Sequence, residues 1–228
     1  DLVIIAVKYT GLEKAVADMK NQVGPDTLIL PVLNGIDSEE IVAAAYGAER
    51  VLFAYMRVSA VMKDGVAWYN ADAGGIHFGE AKNDMLSQRV LRVKELFDLC
   101  GIRYAIDADM IRGLWFKFMC NVGENQTCAL LGVPFGAYRL SEHANTIRRE
   151  AMREVVAIAN RLDIGLSEAD IEKQEATIKR LPFYNKPSTL QDIENGKQTE
   201  IEMFAGKVVG LGEKLGVETP LNRLFYHA

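Results

Sequence analysis

Apolar and polar positions alternate along this chain in two different rhythms. The first hundred residues pair short apolar runs with helical stretches. Residues 2–7 (Leu-Val-Ile-Ile-Ala-Val) read as a buried strand, and Leu12, Ala15, Val16 and Met19 recur at helical spacing over residues 11–22. Gly24-Pro25-Asp26 marks a turn, 27–33 a second apolar run, and 38–46 a helix with Ser38 as its N-cap. Two β-rich stretches follow, 50–61 and 66–78, separated by Lys63-Asp64-Gly65; then a helix over 87–100 and a short strand over 103–106. Strand-helix-strand succession predicts a parallel sheet with right-handed crossovers. From residue 109 the strand signal stops, and helical periods run through 109–131, 141–162, 167–181, 188–195 and 199–215. Ser188 with Gln191 fits a capping box, and Gly196 and Gly216 stand where helices end in a left-handed residue. The fold class expected is therefore α/β: an incomplete Rossmann-type parallel sheet domain over 1–108, followed by an all-α domain over 109–228.

Composition narrows the function classes. With 49% hydrophobic and 25% charged residues the 228-residue chain is an ordinary globular protein. The net charge is −5 with Lys and Arg scattered, so neither nucleic acid nor an anionic membrane is an expected partner. No apolar run is long enough to span a bilayer. Cys100, Cys120 and Cys128 form no CxxC pair, which predicts reduced thiols in a cytoplasmic protein. His77, His143 and His227 are dispersed, and no metal is expected. Asp1 precedes the first apolar run directly, a pattern that reads as a chain beginning partway through a fold.

The candidate chemistry lies in Leu114-Trp115-Phe116-Lys117-Phe118-Met119-Cys120-Asn121-Val122-Gly123-Glu124-Asn125. Lys117, Asn121 and Asn125 are spaced i, i+4, i+8, which puts an ammonium and two carboxamides on one helical face. That set either grips a small polar ligand or is the solvent stripe of an amphipathic helix. Lys8 and Asn34-Gly35 follow the first two strands, at the edge where open parallel sheets bind ligands, although each is equally a loop lysine and a turn. No GxGxxG loop follows any strand.

Six segments in order resemble the ketopantoate reductase (2-dehydropantoate 2-reductase) family. They are Ile5-Ala6-Val7-Lys8, Leu33-Asn34-Gly35-Ile36, Lys117-x3-Asn121-x3-Asn125, Lys186-Pro187-Ser188-Thr189-Leu190-Gln191-Asp192, Thr199-Glu200-Ile201-Glu202 and Gly216-Val217-Glu218-Thr219-Pro220. The resemblance implies NADPH-dependent reduction of a 2-keto acid, ketopantoate, to pantoate, in an enzyme with a Rossmann domain and a helical domain. It implies catalytic roles for Lys117 and Glu200, substrate contacts from Asn34, Asn121, Asn125, Asn185 and Ser188, and cofactor contacts from Lys8, Asn34, Ala60 and Glu200. Aromatic surroundings favour the neutral amine of a lysine, which suits Lys117 as a proton donor near neutral pH. Glu200 also reads as a first-turn glutamate and Ser188 as a helix cap. The glycine-rich segment with which family members begin has no counterpart here, so weak or absent NADPH binding by this chain alone is expected. A paralogous reductase of another 2-keto acid, and a non-catalytic helical module such as a homodimerisation unit, are the other readings.

Overall fold

A computed structural model describes residues 1–58, 60–63, 65–69 and 74–228. Asp64, in the expected turn, and residues 70–73, within the expected 66–78 stretch, lie outside the described residues. The chain forms two compact units, Asp1–Leu114 and Trp115–Ala228.

In the first unit β1 (Leu2–Ile5), α1 (Leu12–Asp18), β2 (Leu28–Pro31), α2 (Ser38–Tyr46) and β3 (Phe53–Arg57) succeed one another. β1 and β2 are parallel, with Leu2 opposite Leu28 and Ile5 opposite Pro31. A parallel bridge between Ile29 and Val51 extends the same direction to β3. Alternation along β2 divides the core. Leu28, Leu30 and Val32 pack with Leu52, Phe78, Val90 and Phe97 on one face, and Ile29 and Leu33 pack with Leu12, Val16 and Val42 on the other. The first face is covered by α3 (Gln88–Cys100), the second by α1 and α2. Ser87 caps α3 by accepting from the Val90 N–H, and Gly101 closes it in the left-handed region at φ +65°.

The sheet is mixed, where a parallel one was expected. β3 is followed by the pair β4 (Ala60–Lys63) and β5 (Val66–Tyr69), and β6 (Gly75–Gly79) returns antiparallel to β3. Among the described residues no helix stands between β3 and β6 to carry the chain back across the sheet, and the chain re-enters in the opposite direction. β7 (Tyr104–Ala105) lies parallel to β6. Glu39 is sealed inside this unit, where its carboxylate accepts from the Ala54 N–H at 3.1 Å and the Ser38 hydroxyl at 2.9 Å. Ser38 is thus the first residue of α2 and not its cap; Asp37 occupies that position.

The second unit is built on α4 (Met110–Leu131), whose first turn begins in the first unit. Leu114, Trp115, Phe116, Phe118, Met119 and Val122 are all buried, and Glu124, Asn125, Gln126 and Thr127 with them, so this helix is enclosed on most sides and forms a core. Around it lie α5 (Ala137–Leu140), α6 (Glu142–Arg161), α7 (Glu168–Ile178), α8 (Ser188–Glu194), α9 (Lys207–Leu215) and α10 (Pro220–His227). Ser141 caps α6, and Ser167 with Asp170 forms a capping box on α7. α5 and α10 were not expected. α9 is preceded by a π-helical turn, Glu202–Gly206, in which the Gly206 N–H reaches the Ile201 carbonyl at 3.0 Å. Among the described residues no helix is long and apolar enough to cross a membrane.

Candidate active site

Lys117, Asn121 and Asn125 stand on successive turns of one regular helix. The stripe they form is not a solvated face. Asn125 is 7% exposed, Lys117 and Asn121 are half-buried, and Glu124, Gln126 and Thr127 beside them are buried. Polar groups withdrawn from water to this extent demand partners or a ligand. Around the lysine, the Trp115 and Phe118 rings meet edge to face at 5.9 Å, and the Lys173 ammonium lies 5.5 Å from the centre of the Phe116 ring.

The stripe is braced from within. Glu124, seven residues after Lys117 and so on the same side of α4, accepts from Gln174 Nε2 at 2.9 and 3.1 Å. The fully buried Arg148 also stands 3.6 Å from this carboxylate. That guanidinium also reaches Glu175 at 3.4 Å and the Asn145 side-chain Oδ1 at 3.0 Å, and lies 5.4 Å from the Tyr138 ring centre. The Tyr138 hydroxyl donates to the Glu124 main-chain carbonyl at 2.9 Å and accepts from Cys128 at 3.3 Å. Burial pushes the Cys128 thiol up to about 12, so it stays protonated and unreactive. A carboxylate on the same side of the helix as Lys117 was the available signal for Glu124; nothing local marks Arg148.

Gly123 lets α6 approach. A Cβ at that position would stand 2.5 Å from Met152 and 2.8 Å from the Arg148 carbonyl oxygen. α8 is held against α4 by Leu190, which shares a core cluster with Cys128, one turn beyond Asn125. The loop before α8 is tied to the chain ahead of α5. The Phe135 N–H donates to the Asn185 carbonyl and the Gly136 N–H to the Phe183 carbonyl, each at 2.9 Å. Ser188 is the first residue of α8, and Pro187 holds the cap position without a side-chain bond. The expected Ser188–Gln191 capping box is absent, because Gln191 donates instead to the Lys186 carbonyl at 2.8 Å. Glu200, 6% exposed, precedes the π turn, and its main-chain carbonyl accepts from the Met203 and Phe204 N–H groups. Phe204 stacks on Phe118 with centroids 6.4 Å apart, which joins the Glu200 segment to the lysine end of α4.

Lys8, Asn34 and Ala60 belong to the first unit. Because β1, β2 and β3 run in one direction, all three residues follow carboxyl ends on the same sheet edge. Gly35, at φ +103°, makes the turn after Asn34 in a conformation that L side chains avoid. An exposed ammonium at Lys8 and a half-buried amide at Asn34 suit the phosphates and carboxamide of a nicotinamide nucleotide laid across that edge. Ala60 lines a separate 480 Å³ cleft with Met56, Tyr69 and Ile76.

Two family descriptions match this chain: "Ketopantoate reductase PanE/ApbA" over residues 1–83 and "Ketopantoate reductase PanE/ApbA C terminal" over residues 109–228. The 2-dehydropantoate 2-reductase of Pyrococcus horikoshii is 30% identical over 231 residues, covering 99% of this chain and 73% of the relative. The crystal structure of 2-dehydropantoate 2-reductase from Methylococcus capsulatus superposes with a TM-score of 0.85 at 26% identity, over 100% of this chain and 72% of that one. The NADH complex of D-mandelate dehydrogenase shares the fold at a TM-score of 0.90 and 22% identity, over 100% of this chain and 77% of that one. The chain belongs to the ketopantoate reductase family.

Proposed function

We propose that this chain serves an NADPH-dependent reduction of 2-dehydropantoate to pantoate. The observation that carries the reading is the buried polar stripe of α4, with Lys117, Asn121 and Asn125 on successive turns. When bound, the reduced nicotinamide supplies the hydride that adds to the keto carbon. Lys117 Nζ holds the proton that the resulting alkoxide takes up. Asn121 and Asn125 orient the keto acid through amide donors and acceptors that carry no charge to desolvate. Ser188 and Asn185, fixed by the loop bonded to Phe135 and Gly136, hold the carboxylate. Glu200 orients Lys117 and contacts the cofactor. Lys8 and Asn34, with Ala60, hold the cofactor at the carboxyl edge of the sheet.

Kinship with P. horikoshii 2-dehydropantoate 2-reductase favours this substrate, whereas the fold shared with D-mandelate dehydrogenase is indifferent to it. The test is steady-state kinetics of Lys117→Ala against a panel of 2-keto acids with NADPH and NADH. Loss of a positioned proton donor lowers kcat by about 10²–10⁴-fold with cofactor affinity little changed. A change within a few-fold makes Lys117 a structural lysine, and a better substrate than 2-dehydropantoate in the panel reassigns the reaction.

A further inference from the structure

Residues 179–187 form neither helix nor strand, yet this loop carries Asn185 and leads directly into Ser188. What fixes it is the segment that enters α5. The Phe135 and Gly136 N–H groups donate to its Asn185 and Phe183 carbonyls. Leu181 and Phe135 both pack on the buried cluster of Cys128, Tyr138 and Leu190.

Gly136 is buried, and its missing side chain is what lets the loop in. A Cβ there would stand 2.4 Å from two ring carbons of Phe183 and 2.6 Å from the Phe183 carbonyl oxygen. A ring can swing aside, but that carbonyl belongs to the loop backbone. Any side chain at 136 would therefore displace the loop itself. Three residues on, the exposed Arg139 closes the clamp. Its guanidinium lies 5.3 Å from the centre of the same Phe183 ring, and its Nη1 donates to the Lys179 carbonyl at 3.1 Å. One side chain thus ties the end of α7 and the loop to α5. Surface connections are ordinarily mobile, whereas this one is seated on a glycine, bonded twice through its main chain and gripped at its aromatic ring. A loop held in one conformation has little ordering entropy left to lose when a ligand arrives.

We infer that Gly136 and Arg139 are positioning residues for recognition of the substrate carboxylate. They act through Asn185 and Ser188, by holding the loop that presents them, and not by contact with the substrate. The inference rests on the reductase reading, in which those two residues hold the carboxylate.

Steady-state kinetics with the 2-keto acid that the unsubstituted protein reduces test this. Gly136→Ala should raise the KM for the keto acid about ten-fold, the effect of misplacing one charge-assisted hydrogen bond. Because that bond serves ground state and transition state alike, kcat and the KM for the cofactor should stay within about two-fold. Arg139→Met, an exposed change that leaves the core intact, should raise the keto-acid KM about three-fold. With Phe183→Leu already in place, Arg139→Met should add less to KM than it does alone, a coupling that mere loss of stability would not produce. Keto-acid KM values within about two-fold of the unsubstituted protein in both single variants would overturn the inference. So would loss of kcat and of cofactor affinity in step with KM, or fully additive effects of Arg139→Met and Phe183→Leu. The reductase reading fails on a different variant, when Lys117→Ala keeps its kcat.

Discussion

Glu39 is a carboxyl group sealed in the core of the first unit, and it should make the protein's stability depend on pH in a way one substitution removes. Burial pushes its pKa from the ordinary 4.5 up to about 7, against the opposing hydrogen bonds from the Ala54 N–H and the Ser38 hydroxyl. The folded state therefore prefers the protonated acid. Its contribution is fully present below pH 4.5 and is lost as pH rises through 7. At about 1.4 kcal/mol per tenfold change in proton affinity, the full span corresponds to roughly 3 kcal/mol. Glu39→Gln keeps the geometry, since the amide oxygen can accept from Ala54 and the amide nitrogen can donate to Ser38. The variant should match the unsubstituted chain near pH 4 and exceed its stability by about 3 kcal/mol at pH 8. Urea denaturation of both proteins from pH 4 to 8 measures this, and taking the difference cancels the titration of every other group. A difference independent of pH, or a variant less stable at pH 8, would refute the argument.

Other substitutions probe the helical unit. Ser188→Ala should raise the KM for the keto acid, and its effect on stability should stay within about 0.5 kcal/mol, because Ser188 caps nothing. Unchanged KM would remove Ser188 from the carboxylate site. Gly123→Ala should destabilise by about 1–3 kcal/mol in denaturant titration as α4 and α6 are forced apart, despite alanine's better helix propensity. Arg148→Met takes the guanidinium away from the buried Glu124 carboxylate, and a loss of about 3–5 kcal/mol is expected. Glu124→Gln in the same chain should recover part of it, and a loss below about 1 kcal/mol would show that the network contributes little.

What could be read from the sequence was what neighbouring residues decide. Gly196 and Gly216 follow helix ends with positive φ as expected, whereas Ser38, the other expected cap, is already the first residue of α2. The spacing of Lys117, Asn121 and Asn125 needed nothing beyond the helix to align them. The direction of β6 was illegible because it depends on what joins β3 to it, and no residue within either strand encodes that. α10 escaped notice because it spans only eight residues. The Glu124–Arg148–Gln174 brace joins residues up to 50 positions apart. In sequence, Arg148 sits among other charges on α6 and looks like part of a solvated surface. The Ser188 cap failed by one position, since the residue after a proline was already helical.

The π turn at Glu202–Gly206 gives the helical unit a built-in phase marker. A π turn amounts to one residue more than an α-helix of the same rise would hold, and each residue of an α-helix turns the chain by about 100°. Removing a single residue there would let the backbone relax into unbroken α-helix with α9 and its partners in place. Everything upstream would swing by about 100°, and Glu200 would leave its direction while its sequence neighbourhood stayed intact. The inserted residue thus sets where Glu200 points independently of how α9 packs, so the two could diverge separately in descendants of this chain.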